Sequence, residues 1–300
     1  MREVIVDCDP GVDDALSLIY LAMSKAVKIL AVTTVAGNHE VEYTTNNALR
    51  VLEALGLDDV PVYKGSPAPL TRELYTVTHI HGNDGLGDSD LPMPSKKPEG
   101  EEAHRFLASF IWENVDRVDI LATGPLTNLA RALSLRPGIA EKIDRFVIMG
   151  GNYFLTPFGY GNVTRVSEFN FFVDPEAAHM VLHSGVKVGA VGLDVTQDPG
   201  TALTGRMVRL LGDLPKRILR NPISKLNIFH LHDPMAAVFY VKPSLFRSTP
   251  LSVSVGMYDG DERGVCLVDK RGIAKPNIDV VYRVDRRAFL LEVIEKLSKA

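Results

Sequence analysis

Residues 4–14 read Val-Ile-Val-Asp-Cys-Asp-Pro-Gly-Val-Asp-Asp, and this stretch decides the fold class. Its apolar start, residues 4–8, is typical of a buried β-strand, whereas Pro10 and Gly11 interrupt regular structure. The spacing of apolar residues over 12–24 predicts that a helix follows at once. A strand that runs through a sharp turn into a helix is the repeating unit of an α/β fold.

The same alternation continues along the first two thirds of the chain. Apolar periodicity predicts further strands at residues 27–35, 117–123, 145–149 and 187–193 and helices at residues 40–55, 126–135 and 176–184. Asp174 and Pro175 are suited to the N-cap and first position of the last of these helices. Strands that are apolar throughout are covered on both faces. We therefore expect an open, mostly parallel, Rossmann-like sheet flanked by helices.

The last third has a different, mainly helical and short-strand character. We expect helices at residues 210–230, 234–240 and 286–299 and short strands at 251–255, 265–269 and 279–283. Two stretches without regular periodicity, 64–97 and 150–172, are predicted to be long loops, which in compact domains often carry function. No linker rich in Gly, Ser or Pro divides the chain, so residues 1–300 are predicted to form one domain.

The composition excludes several classes of protein. With 46% hydrophobic and 23% charged residues, the chain of 300 residues is typical of a globular protein and not of a disordered one. The 33 Lys and Arg against 37 Asp and Glu give a net charge of −4, which argues against nucleic acid as the partner. No apolar stretch approaches the roughly 20 residues that cross a membrane, and no hydrophobic leader is visible. With only two cysteines, Cys8 and Cys266, we expect a cytoplasmic protein without a disulfide framework; whether these two pair stays open.

Four carboxylates fall within residues 7–14, at the turn from strand to helix. Asp7 and Asp9 are two residues apart and point to one side of a strand, whereas Asp13 and Asp14 lie in the first helical turn, where the helix dipole favours them. Converging carboxylates repel one another unless a cation neutralises them. Hard oxygen ligands favour Ca²⁺ or Mg²⁺, and the carboxyl end of a strand is where open α/β sheets bind ligands.

These residues resemble the N-terminal signature Asp-x-Asp-Pro-Gly-x-Asp-Asp of the nucleoside hydrolases, the inosine–uridine-preferring N-ribohydrolase family. Further motifs of that family follow in the same order over about residues 4–240. They are Thr-Thr-Val-Ala-Gly-Asn at 33–38, His-Ile-His-Gly at 79–82, Thr-Gly-Pro-Leu-Thr-Asn at 123–128, Met-Gly-Gly at 149–151, Glu-Phe-Asn at 168–170, Asp-Pro-Glu-Ala at 174–177 and His-Asp-Pro at 232–234.

The resemblance implies a Ca²⁺-dependent hydrolysis of the N-glycosidic bond of ribonucleosides, which gives ribose and a free base. It implies Asp9, Asp14 and Asp233 as carboxylate ligands of the ion, with the backbone carbonyl of Thr123 as another. Asp9 would also be the general base that takes a proton from the attacking water, which the ion would bind and activate. The resemblance further implies a homodimer or homotetramer.

The same resemblance assigns the substrate contacts. The groups that would bind the ribose are Asp13, Asn38, Asn162, Glu168 and Asn170. His81 would lie near the 5′ end of the sugar, and His232 beside the leaving base. Carboxylates stabilise the oxocarbenium-like state of glycoside cleavage, and a histidine that titrates near neutrality can protonate a leaving base.

Several of these residues also have a purely structural interpretation. Asn38 is an equally good helix N-cap, and Asp233 is expected both to cap a helix with Pro234 at its first position and to bind the ion. Glu168 and Asn170, if extended around Phe169, would share one side of the chain. His230, Asp194 and Asp198 are expected to be structural, and the aromatic segment 152–161 to stack on a base, shield the pocket or contact another subunit.

Two other functions compete with the hydrolase. A phosphatase of the haloacid-dehalogenase type also begins with Asp-x-Asp after a first strand, but its usual Thr or Val is here Gly11 and the pair Asp13-Asp14 follows at once. The second alternative is a catalytically silent protein that binds nucleosides or ribose. Base preference is left open, with the two long loops and residues 210–230 as its expected determinants.

Overall fold

A computed structural model describes residues 1–114 and 118–300. Its strands are β1 Arg2–Cys8, β2 Val27–Thr34, β3 Val62–Lys64, β4 Val118–Ala122, β5 Ile143–Met149, β6 Val188–Val191, β7 Leu203–Thr204, β8 Ile228–Phe229, β9 Phe246–Leu251, β10 Val253–Val255, β11 Cys266–Val268 and β12 Ile278–Val284. Its helices are α1 Val12–Met23, α2 Val41–Ala54, α3 Thr78–His81, α4 Ala103–Glu113, α5 Thr127–Leu135, α6 Phe169–Val173, α7 Pro175–Leu182, α8 Leu193–Thr196, α9 Gly205–Val208, α10 Asp213–Leu226, α11 His232–Val241 and α12 Arg286–Leu297. Over these described ranges, no helix combines the length and the apolar character needed to cross a bilayer.

The central sheet confirms the predicted mostly parallel α/β architecture. Its eight strands lie in the order β3-β2-β1-β4-β5-β6-β12-β9. All neighbouring pairs are parallel except β12 and β9, which are antiparallel. The strand order reverses between β1 and β4, so the loops that follow these two strands diverge and leave a crevice.

Helices cover both faces of the sheet because its strands are apolar on both sides. Alternate residues of β1 belong to two cores, with Val4 and Val6 in the core beneath α1 and α11 and Ile5 in the core beneath α4 and α5. Cys8 also lies in the first core, as expected of a small buried residue, and both it and Cys266 are free thiols. The open question of a bridge between them is therefore answered in the negative.

Several predicted boundaries are wrong. The helix expected over 210–230 ends at Leu226, because Asn227 has a positive φ of 62° and turns the chain into β8. The strand expected over 187–193 ends at Val191, since Gly192 is the N-cap of α8. The strand expected over 251–255 is divided between β9 and β10. The predicted strand 117–123 begins outside the described residues and continues as β4.

The buried carboxylate of Asp119 joins four elements at the amino end of the sheet. It accepts hydrogen bonds from Arg2 Nε of β1 at 2.7 Å, from the Tyr240 hydroxyl of α11 at 2.7 Å and from the Arg145 backbone N–H of β5 at 3.1 Å. Asp119 itself lies in β4, so one side chain ties three parallel strands to a covering helix. A carboxylate buried in this way is stable only while its donors remain in place.

We predict that Asp119→Ala lowers the free energy of unfolding by about 2–4 kcal/mol, because it leaves the buried Tyr240 hydroxyl without its acceptor and leaves the Arg2 guanidinium with only the exposed Asp144 as its carboxylate partner. Tyr240→Phe removes only one of the hydrogen bonds and should cost about 1 kcal/mol. Urea denaturation of the three proteins measures both values. Equal stability of Asp119→Ala and the parent chain would contradict the prediction.

Candidate active site

A cavity of about 370 Å³ lies over the carboxyl ends of the central strands, in the crevice between β1 and β4. It brings together residues that are far apart in the chain. The predicted site residues that line it are Asp13, Asn38, His81, Thr123, Asn162, Glu168, Asn170, His232 and Asp233. The two remaining predicted residues, Asp9 and Asp14, are buried directly beneath it and contact Asn38.

Three carboxylates form a tight group at the bottom of the cavity. Asp13, Asp14 and Asp233 each offer an oxygen, and these oxygens lie within 4.8 Å of one another. This group differs from the predicted ligand set in containing Asp13, which was assigned to the ribose. Asp9 lies beside the group, where its Oδ2 accepts the Asn38 backbone N–H at 2.7 Å and its Oδ1 has no hydrogen-bond partner among the described residues.

The carboxylates of this site lack a compensating charge. Burial raises the pKa of all four carboxyls, and at Asp9, Asp13 and Asp233 the neighbouring carboxylates raise the pKa further. No Lys or Arg is among the described residues that line the cavity. A donor set made only of oxygens, with two orphaned atoms at Asp9 Oδ1 and Asp13 Oδ1, fits a hard divalent cation such as Ca²⁺.

Asp14 is positioned by donors from three segments. Its Oδ2 accepts the backbone N–H of Gly11 at 3.0 Å and the side-chain amide of Asn38 at 3.1 Å, and its Oδ1 accepts the Thr123 hydroxyl at 2.7 Å. The bond to Gly11 closes the first turn of α1 in the manner of a capping box. The carboxylate is therefore held by the fold before any ligand arrives.

Asp233 is positioned differently from the prediction. It does not cap its helix: α11 begins at His232 after the N-cap Leu231, so Asp233 and Pro234 both lie in the first helical turn. Helix α11 packs against α1, which explains how residue 233 reaches Asp13 and Asp14. The positive end of the helix dipole favours the carboxylate there.

Glu168 and Asn170 also correct an expectation. The chain is not extended around Phe169, because Glu168 is the N-cap of α6 and accepts the backbone N–H groups of Asn170 at 2.8 Å and Phe171 at 3.1 Å. The side-chain amide of Asn170 donates to the carbonyls of Thr123 at 2.7 Å and Met149 at 3.1 Å. The Thr123 carbonyl, a predicted metal ligand, thus already accepts one hydrogen bond and keeps a second lone pair.

Both predicted histidines lie in the cavity wall, where His81 is buried and His232 is half-buried. His81 Nδ1 accepts the backbone N–H of Val12 at 3.1 Å, so its ring carries the proton on Nε2. His232 Nδ1 lies 2.8 Å from the hydroxyl of Thr196. Burial lowers the pKa of His81 to about 4 and that of His232 to about 3. Burial therefore favours the neutral form of both rings in the protein without substrate, and the role assigned to His232 stays a prediction.

Comparison with protein families matches residues 4–291 to the family described as inosine-uridine preferring nucleoside hydrolase. The chain belongs to this family. Similar proteins include the pyrimidine-specific ribonucleoside hydrolases RihA of Shewanella woodyi, 37% identical over 96% of both chains, and of Salmonella agona, 36% identical over 98% of both. The result excludes the phosphatase alternative and confirms the resemblance seen in the motifs.

Solved structures of nucleoside hydrolases have the same fold. The plant enzyme PpNRh1 is 30% identical, with a TM-score of 0.92 over 100% of this chain and 99% of that one. The purine-preferring ribonucleoside hydrolase from Gardnerella vaginalis is also 30% identical, with a TM-score of 0.90 over 99% and 98%. This chain is accordingly a nucleoside hydrolase by family and by fold, an enzyme class that acts on N-glycosyl bonds.

Two glycines of this nucleoside hydrolase leave room for Asp9. A Cβ atom at Gly37 would lie 2.1 Å from Asp9 Oδ2, and one at Gly124 would lie 2.9 Å from Asp9 Oδ1. These distances are far below van der Waals contact, so any side chain at either position displaces the carboxylate. Gly37 belongs to the motif at 33–38 and Gly124 to the motif at 123–128. The close approach of Asp9 explains why each motif has a glycine at that position.

One part of the cavity wall was not predicted residue by residue. This wall is apolar apart from His230, which was expected to be structural, and it consists of Ile80, Leu226, Ile228, Phe229 and His230. Part of it falls within 210–230, one of the predicted determinants of base preference. The segment 152–161 does not line the cavity; Asp194 anchors it by accepting the backbone N–H groups of Tyr153 and Leu155 at 2.7 and 2.5 Å.

We predict that Gly37→Ala lowers kcat/KM at least about a hundredfold, because misplacing a catalytic group by about 1 Å costs that much. Gly100→Ala is the matched control, since a Cβ at Gly100 meets nothing within 4 Å. Nucleoside hydrolysis and the thermal midpoint are measured for both variants. Unchanged hydrolysis by a folded Gly37→Ala protein would contradict the placement of Asp9.

Proposed function

We propose that this chain hydrolyses ribonucleosides to ribose and a free base with Ca²⁺ as its cofactor, and that it prefers pyrimidine nucleosides. The observation that carries the proposal is the buried group Asp13, Asp14 and Asp233, without a compensating side-chain cation, below a cavity lined by sugar-matching polar groups. Nucleoside hydrolases act on N-glycosyl bonds. The two neighbouring hydroxyls of a ribose can form hydrogen bonds with the amide and carboxylate groups of this cavity.

Asp9, Asp14, Asp233 and the Thr123 carbonyl would hold the Ca²⁺ ion, with Asp13 close enough to join them. When bound, Ca²⁺ supplies the positive charge that the carboxylates lack and polarises oxygen ligands such as water and the ribose hydroxyls. Asp14 and Asp9 are already oriented by Asn38, so binding requires little rearrangement of the protein.

Asp9 is the general base of this proposal. One of its oxygens is fixed by the Asn38 backbone N–H, whereas the other has no partner among the described residues and is free to take a proton from the attacking water. In the protein without an ion, burial and the charge of Asp14 raise the pKa of this carboxyl. The hydroxide that remains adds to the anomeric carbon as the bond to the base breaks.

The polar side of the cavity positions the ribose. Asp13, Asn38, Asn162, Glu168 and Asn170 offer carboxylate and amide groups to its hydroxyls, and His81 with its Nε2–H lies among the residues of the same cavity. The carboxylates also stabilise the positive charge that develops on the sugar in the oxocarbenium-like transition state. This stabilisation is stronger than in solution, because the bound substrate displaces water and the polar groups of the cavity are already oriented.

His232 and the apolar wall receive the base. Burial favours the neutral form of His232, so we expect it to donate a hydrogen bond to the leaving base, while the hydroxyl of Thr196, 2.8 Å from Nδ1, orients its ring. Relatives that are 35–37% identical over nearly the whole chain are named pyrimidine-specific, which supports uridine and cytidine as substrates. The homodimer or homotetramer and the cytoplasmic location implied earlier stay predictions.

The decisive experiment measures the release of free base from uridine, cytidine, inosine, adenosine and guanosine. We expect faster release from the two pyrimidine nucleosides, loss of turnover with a chelator and its recovery with Ca²⁺. Asp9→Asn keeps one oxygen for Asn38 and should fold normally but turn over about 10²–10⁴-fold more slowly.

Each part of the proposal has its own contradicting result in this experiment. Nucleoside binding without release of base would identify a silent binding protein, and faster release from inosine would refute the pyrimidine preference. Normal turnover by Asp9→Asn would refute the general-base role. As a readout besides activity, Ca²⁺ should raise the thermal midpoint of the parent chain, and this shift should shrink in Asp233→Asn.

We predict that His232→Ala slows the hydrolysis of uridine by about 10²–10⁴-fold but that of a p-nitrophenyl riboside by less than about tenfold. A nitrophenolate leaves without help, whereas a pyrimidine base needs a hydrogen bond or proton as the bond breaks. Steady-state rates on the two substrates give the comparison. An equal loss on both would assign His232 to sugar binding or to structure.

A further inference from the structure

A second cavity has a volume of about 930 Å³. It shares no lining residue with the 370 Å³ cavity of the candidate active site, which we call the nucleoside cavity. It is bounded by the segment Thr156, Pro157 and Phe158, by the facing parts of β9 and β12 and by the start of α12. Four arginines line it, Arg247, Arg283, Arg286 and Arg287. The chain as a whole has a net charge of −4, so this concentration of positive charge is local.

The carboxylates in this cavity are already committed to other partners. Asp194 accepts the backbone N–H groups of the segment that begins at Tyr153. Asp198 accepts Arg286 Nε at 2.6 Å, and Asp285 caps α12 by accepting the Ala288 N–H at 3.0 Å. The three carboxylates therefore stabilise loops and a helix end. Of the four arginines that line the cavity, only Arg286 forms an ion pair with one of them.

The other three guanidinium groups have no acceptor. Arg247, Arg283 and Arg287 are exposed, and each makes neither an ion pair nor a side-chain hydrogen bond with the described part of the chain. Water hydrates these exposed guanidiniums, so their donors are available to an anionic ligand that displaces it. Guanidinium forks match the oxygens of a phosphate group.

Without a bound anion, the positions of these arginines lower the stability of the protein. Arg247 and Arg283 are direct cross-strand partners in the β9–β12 pair, where like charges repel. Arg286 and Arg287 occupy the first turn of α12, where the helix dipole disfavours positive charge. An anion seated between these groups removes both penalties at once.

We propose that this cavity binds a small molecule with a phosphate monoester group, such as a nucleotide or a sugar phosphate. Arg283, Arg287 and Arg247 hold the dianion beside the first turn of the 12-residue helix α12. Phe158 and Tyr282 border the same cavity and offer rings to the remainder of the ligand. The site is independent of the proposed hydrolysis.

The test is isothermal titration of the full chain with inorganic phosphate, ribose 5-phosphate and uridine 5′-monophosphate. The double variant Arg283→Ala/Arg287→Ala should weaken binding at least about tenfold. The matched control Arg206→Ala/Arg209→Ala removes the same charge from two exposed arginines outside the cavity and should bind like the parent chain. Nucleoside hydrolysis should be unchanged in both, which shows that both are folded.

The three probes distinguish the sources of the phosphate. Equal affinity for the three probes supports a site that recognises the phosphate group alone. Tighter binding of ribose 5-phosphate or of uridine 5′-monophosphate supports a sugar phosphate or a nucleotide, respectively, as the ligand. Binding that is equally strong in the double variant and the control overturns the proposal, as does no binding of any probe at millimolar concentration. Loss of oligomer mass in the double variant without phosphate binding also overturns it, because it makes the arginines an interface. Arg247→Ala provides a second variant, with weaker binding expected.

Discussion

The burial of four carboxylates around the end of β1 is the constraint on which the site depends. Charged groups removed from water are unstable unless partners replace the lost hydration. Within residues 1–114 and 118–300, the donors to these carboxylates are neutral groups, among them the Asn38 amide, the Gly11 N–H and the Thr123 hydroxyl. These donors fix the positions of the carboxylates but do not cancel their negative charge. An arginine in their place would stabilise the protein and would also occupy the position that a divalent ion needs.

The parallel sheet makes this concentration of charge possible. β1 and β4 are neighbours with the same direction, and the Thr123 N–H donates to the Asp7 carbonyl at 2.8 Å, so the residues that follow the two strands face the same crevice. β2 brings Asn38 to the same edge, and α11 brings Asp233 by packing on α1. Because strand and helix ends hold most of these side chains, the cation site is rigid before ligands bind.

The sequence predicts this architecture well where its signal is local. Apolar runs predicted the parallel strands, and the residues around the end of β1 predicted the carboxylate cluster with Asp13 in it, although the family resemblance assigned Asp13 to the ribose. The missed helix α4 has a signal, since Phe106, Leu107 and Ile111 are buried at helical spacing. Glu168 as an N-cap was missed because Glu is not a common residue there. The contact of Thr196 with His232 joins residues 36 apart and leaves no pattern in either segment.

The short helix α8 lies between the two cavities and contributes to both. Thr196, at its end, contacts His232 through its hydroxyl and His230 through its carbonyl, on the side of the nucleoside cavity. Asp194 and Asp198, on either side of Thr196, face the arginine-lined cavity, where Asp198 binds Arg286. The proposed anion is held by Arg247, Arg283 and Arg287 and leaves the ion pair of Asp198 with Arg286 intact, so the contact of Thr196 with His232 is kept. Within this single turn of chain, α8 therefore directs Thr196 to one cavity and Asp194 to the other, and it separates the two sites.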